Sequence, residues 1–276
     1  MGKRLSIDET AFTNGELYTI LTNKSAKGKK GSVIAMVKGT KAEDVIAILN
    51  KLPQAKKNKV TEVTLDMAGN MALIIKRSFP KANLVIDRFH VQKLTSDAVQ
   101  EIRIKYRWEA LEKENLAIEK AKQNAITYYP EILSNGDTLK QLLARSRYFL
   151  YKSSTQWTKT QKQRAEILFR LYPNIKKAYE LSQKLSWIYE NTKDKTYALT
   201  RLAQWYEQVR KAGYKSFSTI ARTIESHYIN ILNYFDNRST NASAESFNAK
   251  IKAFRAQFRG VRNTEFFLFR LTNIFA

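Results

Sequence analysis

Three acidic residues, Asp8, Asp66 and Glu245, stand where one fold could bring them to a common point. Asp8 lies in the alternating segment Arg4 to Glu9, Asp66 closes the apolar segment Val60 to Leu65, and Glu245 opens an amphipathic helix. Carboxylates at a strand centre, a strand end and a helix start would hold two divalent cations. Such a pair activates a water or a 3′-hydroxyl and stabilises the leaving oxygen in phosphodiester displacement. Catalysis of that kind is positioning plus charge neutralisation, with the metals replacing a side-chain base. Each acid also has an ordinary structural reading. Asp66 could cap the helix after it, Asp8 could be a plain strand acid, and Glu245 a first-turn glutamate favoured by the helix dipole. Only a shared topology unites them.

Composition narrows the chemistry. The 276 residues include no cysteine, which excludes disulfides, zinc–thiolate sites and Cys nucleophiles. Two histidines, His90 and His227, are too few for a His-rich metal centre. A metal would be held by oxygen, which favours Mg²⁺ or Mn²⁺. Forty-eight Lys and Arg against 25 Asp and Glu leave a net charge of +23, and a polyanionic partner explains that excess. No apolar run is long enough to span a membrane, and no basic helix carries a clean lipid face. The first ten residues, MGKRLSIDET, contain no apolar signal segment, so the default compartment is the cytoplasm.

The elements that must position the acids come next. Leu5 and Ile7 alternate with polar residues, Asn14-Gly15 is a hairpin signal, and Leu17 to Thr22 and Ser32 to Val37 are two further strands. Lys24 to Gly31 is a basic, Gly-bearing turn between them. A helix after Thr40 presents Val45, Ile46, Ile48, Leu49 and Leu52, and stops at Pro53. Strand Val60 to Leu65, a helix carrying Met71, Ile74, Ile75 and Phe79, and strand Asn83 to Ile86 form a βαβ unit with parallel strands. The order to residue 90 is βββαβαβ, an α/β layout on a mixed sheet.

From Val91 to Phe235 only helical periodicity remains, which predicts an all-α block with its own core and with Trp108, Trp157, Trp187 and Trp205 inside it. Helices are expected at Ser96–Asn124, Thr138–Tyr151, Thr158–Leu171, Ile175–Glu190, Lys195–Ala212 and Phe217–Phe235. The helix Ala242 to Arg259 then sets Phe247, Ile251, Phe254 and Phe258 on one face, with Glu245, Asn248, Lys252, Arg255 and Arg259 beside them. Phe266 to Phe275 is a terminal apolar helix. The expected domains are residues 1–90, the first part of a catalytic domain; 91–235, an all-α insertion; and 236–276, helices completing the first domain.

The motifs SIDET (Ser6 to Thr10), VTLDMAGN (Val63 to Asn70), FPKANLVIDRFHVQKL (Phe79 to Leu94) and TNASAESFNAKIKAFRAQFRGVRN (Thr240 to Asn263) resemble insertion-sequence transposases of the ISL3 type. The resemblance covers nearly the whole chain. It implies an RNase H-like fold with a five-stranded mixed sheet, interrupted by a large all-α insertion. It implies Asp8, Asp66 and Glu245 as the catalytic and metal-binding triad, with Mg²⁺ or Mn²⁺, two ions, as cofactor. Asp87-Arg88-Phe89-His90 matches the family's Asp-x-x-His signature; Asp87, His90 and Asn248 are expected beside the triad. Lys252, Arg255, Arg259 and Arg262 suit phosphate contacts. The implied function is divalent-metal-dependent DNA strand cleavage and strand transfer in insertion-sequence transposition. Transposon ends and target DNA are the implied partners, with a homodimer assembled on DNA in the bacterial nucleoid. Such transposases usually carry an N-terminal zinc-binding and helix-turn-helix region, which is expected here on a separate region or chain. Two alternatives stand beside this reading: an RNase H-like nuclease or resolvase that cuts without joining, and a non-catalytic DNA-binding protein derived from a transposase.

Overall fold

The computed structural model describes residues 1–11, 16–257 and 264–276. The expected Asn14-Gly15 hairpin, Phe258, Arg259 and Arg262 lie outside the described residues. The chain forms two compact units: residues 1–91, 193–196 and 224–276, and residues 92–192 and 197–223.

The first unit is built on a five-stranded mixed sheet of order β3-β2-β1-β4-β5. Its strands are β1 (Arg4–Ala11), β2 (Leu17–Asn23), β3 (Val33–Lys38), β4 (Glu62–Leu65) and β5 (Asn83–Ile86). The first three form an antiparallel meander, while β4 runs parallel to both β1 and β5. Helix α1 (Ala42–Leu49), a single turn α2 (Gln54–Lys57) and α3 (Gly69–Ser78) follow the expected βββαβαβ order, apart from α2. That turn spans QAKK, too short for periodicity to reveal. Leu5, Ile7, Leu21, Val63 and Leu65 project to one sheet face and are buried against Val45, Ile46 and Leu49 of α1 and Met71, Ile74 and Ile75 of α3. Ile48, expected on this face of α1, is exposed instead. Phe79 is buried at the end of α3, where Pro80 forbids further helix.

The opposite sheet face is covered at β2 and β3. Ile20 and Val33 pack under Phe247 and Ile251 of α12 (Ala242–Gln257) and Phe267 and Leu271 of α13 (Thr264–Phe275). Three helical segments precede α12: α9 (Lys215–Ser226), α10 (Tyr228–Leu232) and α11 (Tyr234–Asn237). The single helix expected over Phe217–Phe235 is therefore broken, at His227 and Asn233. Asn233 closes α10 and donates from Nδ2 to the Leu84 carbonyl at 2.8 Å, which ties this segment to β5.

The second unit draws on α4 (Arg88–Gln123), α5 (Leu139–Ser146), α6 (Lys159–Leu171), α7 (Pro173–Asn191), α8 (Lys195–Ala212) and α9. Thr138 and Thr158 each close a capping box with a Gln three residues later, and Pro173 opens α7. Trp205 is fully buried and donates its indole N–H to the Leu181 carbonyl at 2.9 Å. Trp157 joins Phe149, Phe169 and Tyr179 in an aromatic cluster. Two tryptophans depart from expectation. Trp108 is 64% exposed and Trp187 41%, the latter flanked by Lys184 and Arg201 over its ring. On α4 the buried stripe runs through Val99, Arg103 and Ala110, and Trp108 falls on the other side of the helix.

Candidate active site

Strand pairing carries Asp66 toward Asp8. Parallel β1 and β4 pair Arg4 with Glu62, Leu5 with Val63 and Ser6 with Thr64, a constant offset of 58 residues (62 − 4). Continued two residues past Thr64, the same offset sets Asp66 opposite Asp8. Asp8 is also the register partner of Ile20 on β2, so both side chains project to the face that α12 covers. Burial of Phe247 and Ile251 on Ile20 thus places the polar edge of α12 above Asp8.

The contacts follow from that placement. Asn248 donates from Nδ2 to Asp8 Oδ2 at 2.8 Å, and the Glu9 backbone N–H donates to Asp8 Oδ1 at 2.9 Å. Glu245, in the first turn of α12, has its own N–H held by the Asn241 carbonyl at 3.0 Å. Asp66 accepts from the Ala68 N–H at 2.9 Å, while Ala68 itself occupies the N-cap position of α3 without a side-chain cap. Asp66 therefore turns the chain out of β4 and does not cap the helix.

Electrostatics link these groups. Burial pushes the Asp8 carboxyl up to about 6; the Glu9 amide and the charge of His90 oppose the rise, and Asp66 and Glu245 add to it. Partial burial likewise raises Glu245, with Asp87 adding and His90 opposing. The charges of Asp66 and Glu245 therefore both reach Asp8, His90 acts on Asp8 and Glu245, and Asp87 acts on Glu245. Among the described residues, no three His, Asp or Glu side chains are gathered closely enough to hold a metal ion. The donor chemistry nevertheless suits a hard divalent cation, since every acid present offers carboxylate oxygen and their mutual repulsion is what a cation would neutralise.

Asp87 follows β5 and precedes α4, and is only 1% exposed. Its backbone N–H donates to the Leu65 carbonyl at 3.0 Å, but neither carboxylate oxygen has a hydrogen-bond partner among the described residues. A residue outside every motif answers its charge. Lys24, just past β2, reaches Thr64 Oγ1 with a hydrogen bond and lies 3.7 Å from Glu62, and its side chain is 14% exposed. Burial lowers its ammonium to about 8, against the pull of Glu62 and then Asp87. In the sequence, Lys24 looks like Lys27, Lys29 and Lys30 in the same turn; nothing local marks it.

The basic residues expected to meet phosphate fare differently from one another. Lys252 is exposed, and Arg255 lies over the Phe267 ring at 5.2 Å. They follow Glu245 by about two and three helical turns, roughly 10 and 15 Å further along the axis of α12. Arg259 and Arg262 lie outside the described residues.

Comparison with known proteins points the same way. A family model described as a transposase, of the DDE and ISL3 type, matches residues 5–271. The transposase for insertion sequence element IS1001 of Bordetella parapertussis is 22% identical over 275 residues, 98% of this chain and 60% of that protein. The chain thus spans about three fifths of the length of that curated relative. No helix among the described residues is long and apolar enough to cross a membrane. With the match running through all five strands and into the last helix, the chain belongs to the ISL3 family of DDE transposases.

Proposed function

We propose that this chain forms the RNase H-like catalytic part of an insertion-sequence transposase and carries out divalent-metal-dependent DNA strand cleavage and strand transfer. The observation that supports it best is the β1–β4 register, which carries Asp66 toward Asp8 at the carboxyl end of the parallel strand pair, where the charges of Asp66 and Glu245 both act on Asp8. Ligands of α/β folds bind at that end of the sheet. Asp8, Asp66 and Glu245 would hold Mg²⁺ or Mn²⁺, two ions in this reading. The bound metal would activate the attacking oxygen and neutralise charge on the leaving one.

The residues supply positioning. Asn248 and the Glu9 amide occupy one lone pair on each Asp8 oxygen and fix the carboxylate plane. Burial of Phe247 against Ile20 sets the height of Glu245 over the sheet. Asp87 and His90 are proposed to tune the charge around Glu245 without joining the triad. Lys252, Arg255, Arg259 and Arg262 are assigned to the DNA backbone, and residues 91–235 to a helical insertion between β5 and the Glu245 helix. The substrates are transposon ends and target DNA in the bacterial nucleoid, engaged by a homodimer.

Asp8→Ala, Asp66→Ala and Glu245→Ala should each abolish Mn²⁺-dependent nicking of a transposon-end duplex and leave binding of that duplex unchanged. Nicking retained by any of the three would remove that residue from the triad. A strand-transfer assay separates the alternatives: joining of a 3′-hydroxyl end to target DNA is expected, and cutting without joining would make the protein a nuclease.

A further inference from the structure

The second unit has a basic groove that the catalytic site does not use. Arg103 and Arg107 lie one turn apart on α4, and Arg147 closes the end of α5. With Ala144, Arg145 and Tyr148 they line a groove of about 400 Å³ that contains no acidic residue. Arg145 is already engaged, by a salt bridge to Asp137, which also binds Arg164. The other three form no ion pair among the described residues.

The geometry is costly without a ligand. Arg103 is only 5% exposed, and donates from Nε to Gln100 Oε1 at 2.6 Å and from one terminal nitrogen to the Leu143 carbonyl at 2.8 Å. These bonds satisfy two donors and none of the charge. Burial, then Arg107 and Arg147, all lower its pKa. Arg107 has a buried Nε with no partner among the described residues. Arg147 stacks over the exposed ring of Tyr148 at 4.5 Å, which holds its planar fork at the groove's rim. Three guanidinium groups facing one opening with no carboxylate repel one another, and an anion placed there relieves all three.

We propose that Arg103, Arg107 and Arg147 of the second unit form a phosphate-binding groove that grips the DNA backbone. The proposal rests on DNA being the substrate. An extended polyanion, and not a free phosphate, fits an open groove on a chain of net charge +23. Contacts of this kind hold the duplex without reading its sequence. Arg103 forms the floor, and Arg107 and Arg147 are the groups that a backbone phosphate reaches first.

The test is anisotropy of a labelled 30-base-pair duplex of arbitrary sequence, bound by the full chain in EDTA at a series of NaCl concentrations. Loss of two contacts at about 0.9 ions each lowers the slope of log K against log salt by about 1.8. At 0.15 M salt that amounts to roughly a thirtyfold loss of affinity for the Arg107→Gln/Arg147→Gln variant, taking an unchanged 1 M intercept. Arg107→Lys/Arg147→Lys should keep the slope, because it keeps the charge. An unaltered slope in the Gln variant overturns the proposal. Should that variant lose its helical circular dichroism, Arg147→Gln alone, at an exposed position, carries the test with a slope loss of about 0.9. If inorganic pyrophosphate raises the melting temperature through these arginines while the DNA slope stays put, the groove serves a free phosphate and the DNA assignment is wrong. Because EDTA removes catalysis, failure of the metal-triad reading leaves this result untouched. A parental chain with no affinity for duplex would overturn both.

Discussion

Replacing Asp8 by Asn should make the metal-free protein more stable at neutral pH. The Asp8 carboxyl titrates at about 6 in the fold against 3.8 as a free side chain. A folded pKa above the unfolded one means that ionisation works against the fold. The cost is absent below the ordinary pKa, grows as pH rises, and is complete above about 6. A shift of about two units corresponds to about 3 kcal/mol. Partial exposure of Asp8 screens that figure, to roughly 1–2 kcal/mol. Asn at this position keeps the acceptor for the Glu9 amide, and Asn248 can flip its amide to accept from the new NH₂. Asp8→Asn should therefore raise the urea-derived stability of the sheet-containing unit by roughly 1–2 kcal/mol at pH 8. At pH 4 about a fifth of the difference should remain, because the parental carboxyl is then mostly protonated. In Mn²⁺ the order should reverse, since the parental chain gains binding energy that the variant forfeits. A variant less stable than its parent at pH 8, or a difference equal at pH 4 and pH 8, would refute the reasoning.

Two further expectations follow from buried charge. Lys24→Met leaves Glu62 and Asp87 without their cation and should cost about 3 kcal/mol in urea denaturation, with much of it restored by adding Glu62→Gln. A loss below about 1 kcal/mol would mean that Lys24 is a bystander. In the second unit, burial of Asp137 favours its neutral form, but Arg164 and then Arg145 outweigh that and hold it below the usual carboxylate range. A depressed pKa stabilises the fold above the ordinary value and loses that contribution as pH falls through the lowered one. Asp137→Ala should cost about 3 kcal/mol at pH 7, and the cost should shrink in acid. A pH-independent cost would show that packing alone was lost.

The strand and helix order was legible because periodicity is a local property. Leu5 and Ile7 alternate, Met71, Ile74 and Ile75 recur at helical steps, and Thr138 and Thr158 announce their helices with a Gln three residues on. The misreadings sit where local pattern yields to partners. A run that reads as one helix from Phe217 to Phe235 is broken at His227, where the backbone leaves helical geometry, and again at Asn233, whose side chain bonds the Leu84 carbonyl. Trp108 and Trp187 read as core by residue type, yet the buried stripe of α4 passes Trp108 by and two cations hold Trp187 at the surface.

Residue types alone determined that a metal here would draw chiefly on oxygen ligands, since the chain has no Cys and two His, and a net charge of +23 raised the expectation of a polyanionic partner. They also placed Asp8 within a strand, Asp66 just past one and Glu245 in a helix's first turn. Only the tertiary structure decided which charges meet. An offset of 58 between β1 and β4 set Asp66 toward Asp8, and Phe247 on Ile20 brought Asn248 to the same carboxylate. It chose Lys24 out of a turn with four lysines to lie by Glu62 and Asp87, and it turned Arg103, Arg107 and Arg147 toward one groove. The reason is physical: a side chain's type is written locally, but its desolvation and its neighbours belong to residues tens to hundreds of positions away.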